Sequence, residues 1–212
     1  MTEKSNYQKI AQNNLRRFYE DPGADAAARL GAEERSDEFF FRAFGRRCGI
    51  SPAGITLDGQ AETGVLGVLV SMYVLYASHA PCIIEPLKSF KELPDSMPYT
   101  AAFAARTQQP IVARVEAVGQ NTQRIIDAFS GKNPPAKTGG DFGFLLYPLP
   151  KIALCYVFYR ADEDFPASVT CLYSANAAAH LPTDALADVG EYTSRQILRL
   201  VQGQDDRPET AG

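Results

Sequence analysis

The chain has 212 residues, of which 45% are hydrophobic and 22% are charged, which is ordinary for a globular protein with a buried core. Its formal net charge of −4 argues against a nucleic-acid-binding protein, because such proteins usually carry a basic excess or a basic stripe. The longest apolar run, Val65 to Ala77, falls short of the roughly 20 residues of a transmembrane helix. Since no apolar segment follows Met1 either, we expect a cytoplasmic protein with no membrane span and no nucleic-acid partner.

The four cysteines offer no metal or cofactor motif. Zinc and iron–sulfur sites usually show closely spaced pairs of ligands, whereas Cys48, Cys82, Cys155 and Cys171 lie far apart in the sequence. In a reducing compartment they are expected to be free thiols, with Cys155 and Cys171 packed inside strands. No metal ligand and no cofactor is assigned on this basis.

The first half of the chain predicts helices on either side of a group of short strands. Helical spacing of apolar residues predicts helices over three segments: 5–20, 24–30 and 62–78. Runs rich in aromatic and β-branched residues predict strands over three more: 39–44, 48–50 and 55–57. The segment 33–37 is polar and is predicted to be a connector, and Asp58-Gly59 predicts a tight turn. The helix over 62–78 is apolar nearly all round, which indicates burial on most faces.

The second half begins with a proline-rich stretch, residues 80–98, which is either a binding loop or an irregular wrapping of the core. Helices are predicted over 99–106, from 109 to about 119, from 121 to 131, and from about 182 to 200. Strands are predicted over 142–149, 151–160 and 167–173, the last two joined by an acidic turn. A polar tail, residues 202–212, is predicted to be disordered.

The order of these elements predicts the fold class. The strands form two clusters and do not alternate regularly with the helices, which indicates an α+β protein and not a doubly wound parallel sheet. We therefore expect a single α+β domain over residues 1–201. A mostly antiparallel sheet, covered by helices, is expected to take strands from both the 39–57 and the 142–173 regions.

Three consecutive acids, Asp162, Glu163 and Asp164, follow the apolar run that ends at Arg160. In an extended segment Asp162 and Asp164 would face the same side, and two such carboxylates could hold Mg²⁺ or Mn²⁺ together with a substrate phosphate. Asp141 precedes a strand that is expected to neighbour this hairpin. A solvated turn is the alternative interpretation of the same acids.

Two motif fragments are rejected. Residues 131–138 are similar to a phosphate-binding P-loop, but Pro134 and Pro135 have no backbone N–H to offer, and the segment follows a helix and precedes a strand. The Asp-Phe-Gly triplet at 141–143 occurs without the other protein kinase motifs, which favours a turn aspartate before a strand.

The two histidines leave one further hypothesis open. His79 and Cys82 are three residues apart at the end of the buried helix, and His180 precedes the last helix. A Cys–His nucleophile pair is one interpretation. The alternative is a histidine that favours a helix C-terminus, next to a half-buried thiol.

Two stretches are the most specific in the chain: Ser-Phe-Lys-Glu-Leu-Pro at 89–94 and Asp-Glu-Asp-Phe-Pro-Ala-Ser at 162–168. Together with residues 99–103, 140–141 and 172–173, they resemble an uncharacterised domain family of anaerobic bacteria and archaea. The resemblance runs from about Tyr7 to Leu200. Some members are joined to a four-cysteine iron–sulfur module like that of corrinoid iron–sulfur proteins, which implies anaerobic one-carbon or corrinoid metabolism and a redox or corrinoid protein partner. This chain has no such module, no tryptophan, and Met72-Tyr73-Val74 where relatives tend to have His-Tyr-Leu.

The favoured function is a small-ligand-binding, cofactor-binding or accessory module of anaerobic metabolism. Its site is expected where the 80–98 segment meets the acidic hairpin and Asp141, as a concavity with a few polar groups on an apolar scaffold. A metal-dependent enzyme that uses Asp141, Asp162 and Asp164, and a structural protein-interaction domain, are the two alternatives. No catalytic residue is assigned, and the candidate ligand-binding residues are Asp141, Asp162, Glu163, Asp164, Phe90 and Tyr99.

Overall fold

The computed structural model of the chain describes residues 6–202. The α-helices are α1 (Asn6–Glu20), α2 (Ala26–Leu30), α3 (Val65–Tyr76), α4 (Thr100–Phe103), α5 (Gln109–Val112), α6 (Val115–Gln120), α7 (Thr122–Ala128) and α8 (Thr183–Gln202). The strands are β1 (Glu33–Arg35), β2 (Glu38–Ala43), β3 (Arg46–Ser51), β4 (Gly54–Leu57), β5 (Gln60–Ala61), β6 (Lys88–Ser89), β7 (Phe142–Leu149), β8 (Ile152–Tyr159) and β9 (Ser168–Tyr173). Short 3₁₀-helices lie at Phe90–Glu92, Met97–Tyr99 and Ala177–Ala179, and a π-helical segment at Ala104–Gln108. Of the predicted tail, residues 203–212 lie outside the described residues.

The strands form two antiparallel sheets and not the single sheet predicted. The first has five strands in the order β1-β2-β3-β4-β5, and the second has four in the order β6-β9-β8-β7. The α+β class with antiparallel pairing is confirmed, but the expectation that residues 39–57 and 142–173 share one sheet is wrong. Most strands pair with a sequence neighbour through a short connection, so each group completes its hydrogen bonds locally. A contiguous apolar core joins both sheets to the helices, so the described residues form one compact domain.

The two edge strands of the five-stranded sheet were not predicted. β1 falls in the segment expected to be a polar connector, and all three of its residues are exposed, so no alternation of apolar and polar side chains marks it. β5 has only two residues and follows the Asp58-Gly59 turn, which is confirmed. Asp58 and Gly59 both have positive φ, 51° and 78°, as a tight hairpin turn of this kind requires.

The buried helix α3 is anchored at its C-terminal end. The Tyr73 hydroxyl donates a hydrogen bond to the carbonyl oxygen of Leu30 at 2.9 Å. Arg29 donates to the carbonyl oxygens of Val74 and Ala77, at 3.1 and 3.2 Å. A cation at this end complements the helix dipole and satisfies carbonyls that have no partner within the helix. No helix within residues 6–202, α3 included, is long and apolar enough to cross a membrane.

The inner face of the four-stranded sheet packs against α8 and carries tyrosine hydroxyls into the core. The Tyr173 hydroxyl donates to the carbonyl oxygen of Leu186 at 2.8 Å, and the Tyr156 hydroxyl lies 2.9 Å from Ser194 Oγ. Ser194 in turn donates to the carbonyl oxygen of Thr107 at 2.7 Å. Because a buried polar group without a partner costs free energy, these bonds let tyrosines fill the core beneath α8.

The outer face of the same sheet holds a second apolar cluster, which is covered by loops instead of helices. Its buried members are Leu145, Ala153, Cys155 and Val157. Cys82, Ile84 and Leu87 pack against it from the segment 79–87, which we call the first covering loop. The second covering loop is the segment 131–140. Lys132 exchanges two backbone hydrogen bonds with Leu145, at 2.9 and 2.8 Å, which ties this loop to β7.

Gly190→Ala should destabilise the fold by about 2 kcal/mol through overpacking, although alanine usually favours a helix over glycine. A Cβ at position 190 would lie 2.6 Å from the Phe103 ring and 2.8 Å from the Tyr173 hydroxyl oxygen, both fixed in the core. Chemical denaturation followed by circular dichroism measures the loss. Gly119→Ala is the matched control, because its Cβ would lie no closer than 3.2 Å to Arg160 Nη2 and 3.3 Å to the Phe142 ring. Equal losses in the two variants would contradict this account.

Candidate functional site

The acidic hairpin between β8 and β9 is a tight and exposed turn. Asp162 Oδ1 accepts hydrogen bonds from the backbone N–H groups of Asp164 and Phe165, at 2.9 and 2.7 Å. The N–H of Asp162 donates to the carbonyl oxygen of Phe165 at 3.0 Å. The Asp162 carboxylate therefore closes the turn, and the segment is not the extended stretch that would place Asp162 and Asp164 on one side. Within residues 6–202, no three His, Cys, Asp or Glu side chains are grouped so as to hold a metal ion.

Asp141 lies beside this hairpin, where β8 ends. Its carboxylate accepts a hydrogen bond from the backbone N–H of Arg160 at 2.6 Å, and its own N–H donates to the carbonyl oxygen of Phe158 at 2.8 Å. The Arg160 guanidinium lies over the Phe142 ring, 5.0 Å from its centroid, and its Nε is 3.2 Å from Glu116 Oε1. The structure thus brings Asp141 next to the chain that enters the hairpin, in contacts that hold the backbone in place.

The 80–98 segment approaches the sheet at the other end of β9. β6, within that segment, pairs with the Leu172 end of β9, whereas the acidic hairpin enters β9 at Ser168. Phe90, which follows β6, is buried with its ring stacked on Phe103, 4.3 Å between centroids. The structure therefore does not bring Phe90 together with the three hairpin acids.

Tyr99 borders a separate small notch against α8. The notch has a volume of about 240 Å³ and also contains Arg106, Asp184, Asp188 and Glu191. Burial, reinforced by the neighbouring Glu191 and Asp184 carboxylates, raises the pKa of Asp188 above its usual range. A ligand-binding role for Tyr99, as for Phe90 and the hairpin acids, stays a prediction.

The two covering loops leave between them a crevice over the outer apolar cluster, which we call the roof crevice. It has a volume of about 470 Å³ and is lined by Glu85, Pro86, Leu87, Pro135, Ala136, Lys137, Thr138 and Leu172. Leu172 belongs to β9 and forms an apolar floor, while the other residues come from the loops. The charged lining residues are one acid, Glu85, and one base, Lys137, both exposed. An apolar concavity of this size with a few polar groups is typical of a small-ligand site.

The second covering loop is held directly against β8. Gly139 and Gly140 have φ values of 80° and 82°, and a Cβ on Gly140 would lie 2.5 Å from Val157 Cγ1. Only glycine adopts this conformation at no steric cost and allows so close an approach. The Thr138 hydroxyl donates to the carbonyl oxygen of Pro135 at 2.6 Å, which closes the turn that forms the crevice wall.

The thiols near the crevice are not activated. Burial raises the pKa of Cys155 to about 11. Burial also raises the pKa of Cys82, and a hydrogen bond from Ser174 only partly offsets it. His79 Nδ1 lies 2.7 Å from Asp25 Oδ2, so the structure pairs this histidine with a carboxylate and not with Cys82. A thiol with a raised pKa is a poor nucleophile at neutral pH.

His180 contacts residues on both sides of the start of the first covering loop and holds it in place. Its Nδ1 lies 3.2 Å from Ser78 Oγ, and its Nε2 lies 3.2 Å from Asn176 Nδ2. Asn176 Oδ1 accepts the backbone N–H of Ile83 at 2.8 Å. Both ring nitrogens of His180 therefore have polar partners. Burial, with the nearby charge of Lys151, lowers the pKa of His180 below its ordinary value.

One wall of the roof crevice comes from a segment that the sequence does not mark as functional. Residues 131–138 fail as a P-loop because of Pro134 and Pro135, and the same prolines stiffen the segment as a wall. The signal that could have found it is the unbroken apolar run of β8, residues 152–158, which needs cover on both faces. Which part of the chain supplies that cover is not encoded in the run itself.

A sequence model of the family described as a domain of unknown function (DUF3786) matches residues 23–196. The match covers most of the chain and includes both sheets and every residue that lines the roof crevice. No curated protein and no solved structure matches the chain.

Asp162→Ala should lower the free energy of unfolding by about 1 kcal/mol, because the turn loses two hydrogen bonds to a carboxylate. Glu163→Ala is the control, since it removes an exposed carboxylate from the same hairpin and should change little. Urea denaturation measures both, and equal losses would contradict the role assigned to Asp162. Titrating the same proteins with Mg²⁺ or Mn²⁺ tests the metal hypothesis, which requires a saturable stabilisation that Asp162→Ala removes.

Stability should fall as the pH is lowered from about 7.5 to 5.5, because protonation of His180 favours the unfolded chain. The pKa of His180 is lower in the folded protein than the value of about 6.5 expected in the unfolded chain. The stability that the neutral ring contributes is therefore fully present above about pH 6.5, and it is lost as the pH falls through the pKa of the folded state. His180→Gln should flatten the melting temperature over this range. His79→Gln, which replaces the other histidine at an exposed site, should retain the slope. A slope that persists in His180→Gln would contradict the assignment.

Proposed function

The chain belongs to the DUF3786 family, and we propose that it is a small-ligand-binding module whose site is the roof crevice. The observation that carries the proposal is the way the outer face of the four-stranded sheet is covered. Two loops, and not helices, lie over its apolar cluster, and they leave about 470 Å³ between them. Ligand pockets usually have volumes of roughly 300–1,000 Å³ and expose mainly apolar groups with a few polar ones.

The lining residues favour a ligand with an apolar body and at least one charged or strongly polar group. Leu172 and Leu87 offer apolar contacts, and Pro86 and Pro135 are stiff and lose little conformational freedom when a ligand binds. Glu85 from one loop and Lys137 from the other supply charges of opposite sign. Ligands that combine an amine with a carboxylate would complement both.

The geometry gives less support to the alternative function, a metal-dependent enzyme that uses Asp141, Asp162 and Asp164. Asp141 and Asp162 already accept backbone hydrogen bonds, and those contacts hold the end of β8 and the hairpin. A protein-interaction role also stays a prediction. A redox or corrinoid protein partner in anaerobic metabolism stays a prediction too, and it rests on the family resemblance and on no contact within the described residues. The roof crevice is compatible with a ligand drawn from such metabolism.

Leu172→Glu should abolish ligand binding in the crevice, because it places a carboxylate in the apolar floor. Thr170→Glu is the matched control, since it adds the same charge two residues away, on the same strand and the same face, outside the lining. Native mass spectrometry of protein purified without oxygen would detect a retained ligand. A thermal-shift panel of small amino acids and related amine–carboxylate compounds would detect weaker ones.

The proposal expects at least one compound that stabilises the wild-type protein and Thr170→Glu but not Leu172→Glu. Compounds that stabilise all three proteins equally would place the site elsewhere. A clean mass spectrum combined with no stabilising compound would count against a ligand-binding role.

A further inference from the structure

The outer face of the five-stranded sheet has an open notch whose lining includes Gly49. This glycine lies in the centre of the face, in one cross-strand row with Phe40 and Thr56. A Cβ there would lie 2.9 Å from Thr56 Oγ1 and 3.1 Å from the Phe40 ring. The notch has a volume of about 640 Å³, and its lining includes Arg42 and Arg47.

Arg42 and Arg47 stand directly opposite each other on neighbouring strands. Like charges in this arrangement destabilise a sheet unless something compensates them. Arg42 is held in place by hydrogen bonds to the carbonyl oxygens of Gly45 and Ala128, at 2.9 and 2.8 Å. The Arg47 guanidinium has no hydrogen-bond or ion-pair partner within residues 6–202. Its backbone bonds to Asp58 twice: the N–H donates to Oδ1 at 2.9 Å, and the carbonyl oxygen accepts from the Asp58 N–H at 2.7 Å.

The two acids that line the notch are already paired. Asp58 Oδ2 accepts from Arg46 Nε at 2.8 Å, and this bond, with the backbone N–H of Arg47, lowers the pKa of Asp58 below its usual range. Glu33 Oε1 accepts from Arg35 at 2.7 Å. Four arginines therefore stand against two carboxylates around the notch once Arg35 and Arg46 are counted, on a protein whose formal net charge is −4.

We propose that this notch binds a small molecule through a phosphoryl group held between Arg42 and Arg47. A guanidinium donates in a planar fork that fits two oxygens of a phosphate. A phosphate monoester carries a charge of about −1.5 to −2 at pH 7, which two arginines balance. Phe40, with the Arg35 guanidinium 5.8 Å from its ring centroid, lines the notch beside the rest of the molecule. The notch lies on the other sheet from the roof crevice, so the proposal stands independently of the function proposed for the crevice.

Titration with inorganic phosphate at constant ionic strength, followed by ¹H–¹⁵N NMR spectroscopy, tests the site. The wild-type protein should show saturable shifts centred on the amides of Gly49 and its strand neighbours. Arg47→Gln should weaken phosphate binding by roughly tenfold or more, because hydrogen bonds between charged groups are lost. The variant should fold, since the bond from the backbone N–H of Arg47 to Asp58 is retained.

Arg16→Gln is the matched control, because it removes an equal charge from α1, where Arg16 bonds to Asn13 at 3.1 Å. It should leave the affinity for phosphate unchanged. Arg47→Lys keeps the charge but loses the fork, and it should also weaken binding. The proposal is overturned if the wild-type protein shows no saturable shifts near Gly49, if Arg47→Lys binds as tightly as the wild type, or if Arg16→Gln weakens binding as much as Arg47→Gln.

Discussion

Burial of β8 on both faces is the constraint from which much of this structure follows. Every residue from Ile152 to Phe158 is buried, and the strand is bonded along both edges, to β7 and to β9. Such a strand needs apolar cover above and below, because the apolar side chains on both of its faces would otherwise be exposed to water. The two faces are covered in different ways, and this difference explains why the roof crevice lies on the outer face.

The inner face is covered by helical elements: α7 contacts β7, α5 and the π-helical segment contact β9, and α8 lies over the tyrosine hydroxyls. α8 satisfies its own backbone hydrogen bonds, so it can lie close to the sheet, and Gly190 lets it approach Phe103 and the Tyr173 hydroxyl. The tyrosine hydroxyls that reach this layer find carbonyl or hydroxyl partners on the helix. Close packing of this kind stabilises the fold.

The outer faces of both sheets are where the molecule remains open. On the four-stranded sheet, irregular loops must bond their backbones within themselves or to a strand edge, as Thr138 and Lys132 do, and they pack less completely than a helix. The roof crevice is the space they leave. On the five-stranded sheet the side chains of Arg42 and Arg47 are exposed, and both line the notch on its outer face.

The sequence by itself determined the α+β class, the β8–β9 hairpin with its acidic turn, and the long last helix, because apolar spacing and turn residues act over a few positions. It also indicated that Asp141 would neighbour the hairpin, since β7 and β8 are consecutive. Only the tertiary structure decided that the strands divide into two sheets, that the exposed residues Glu33–Arg35 form an edge strand, and that the segments 79–87 and 131–140 cover one apolar face. These features depend on contacts between residues far apart in the chain, and such contacts are set by which surfaces remain to be buried once the local elements have formed.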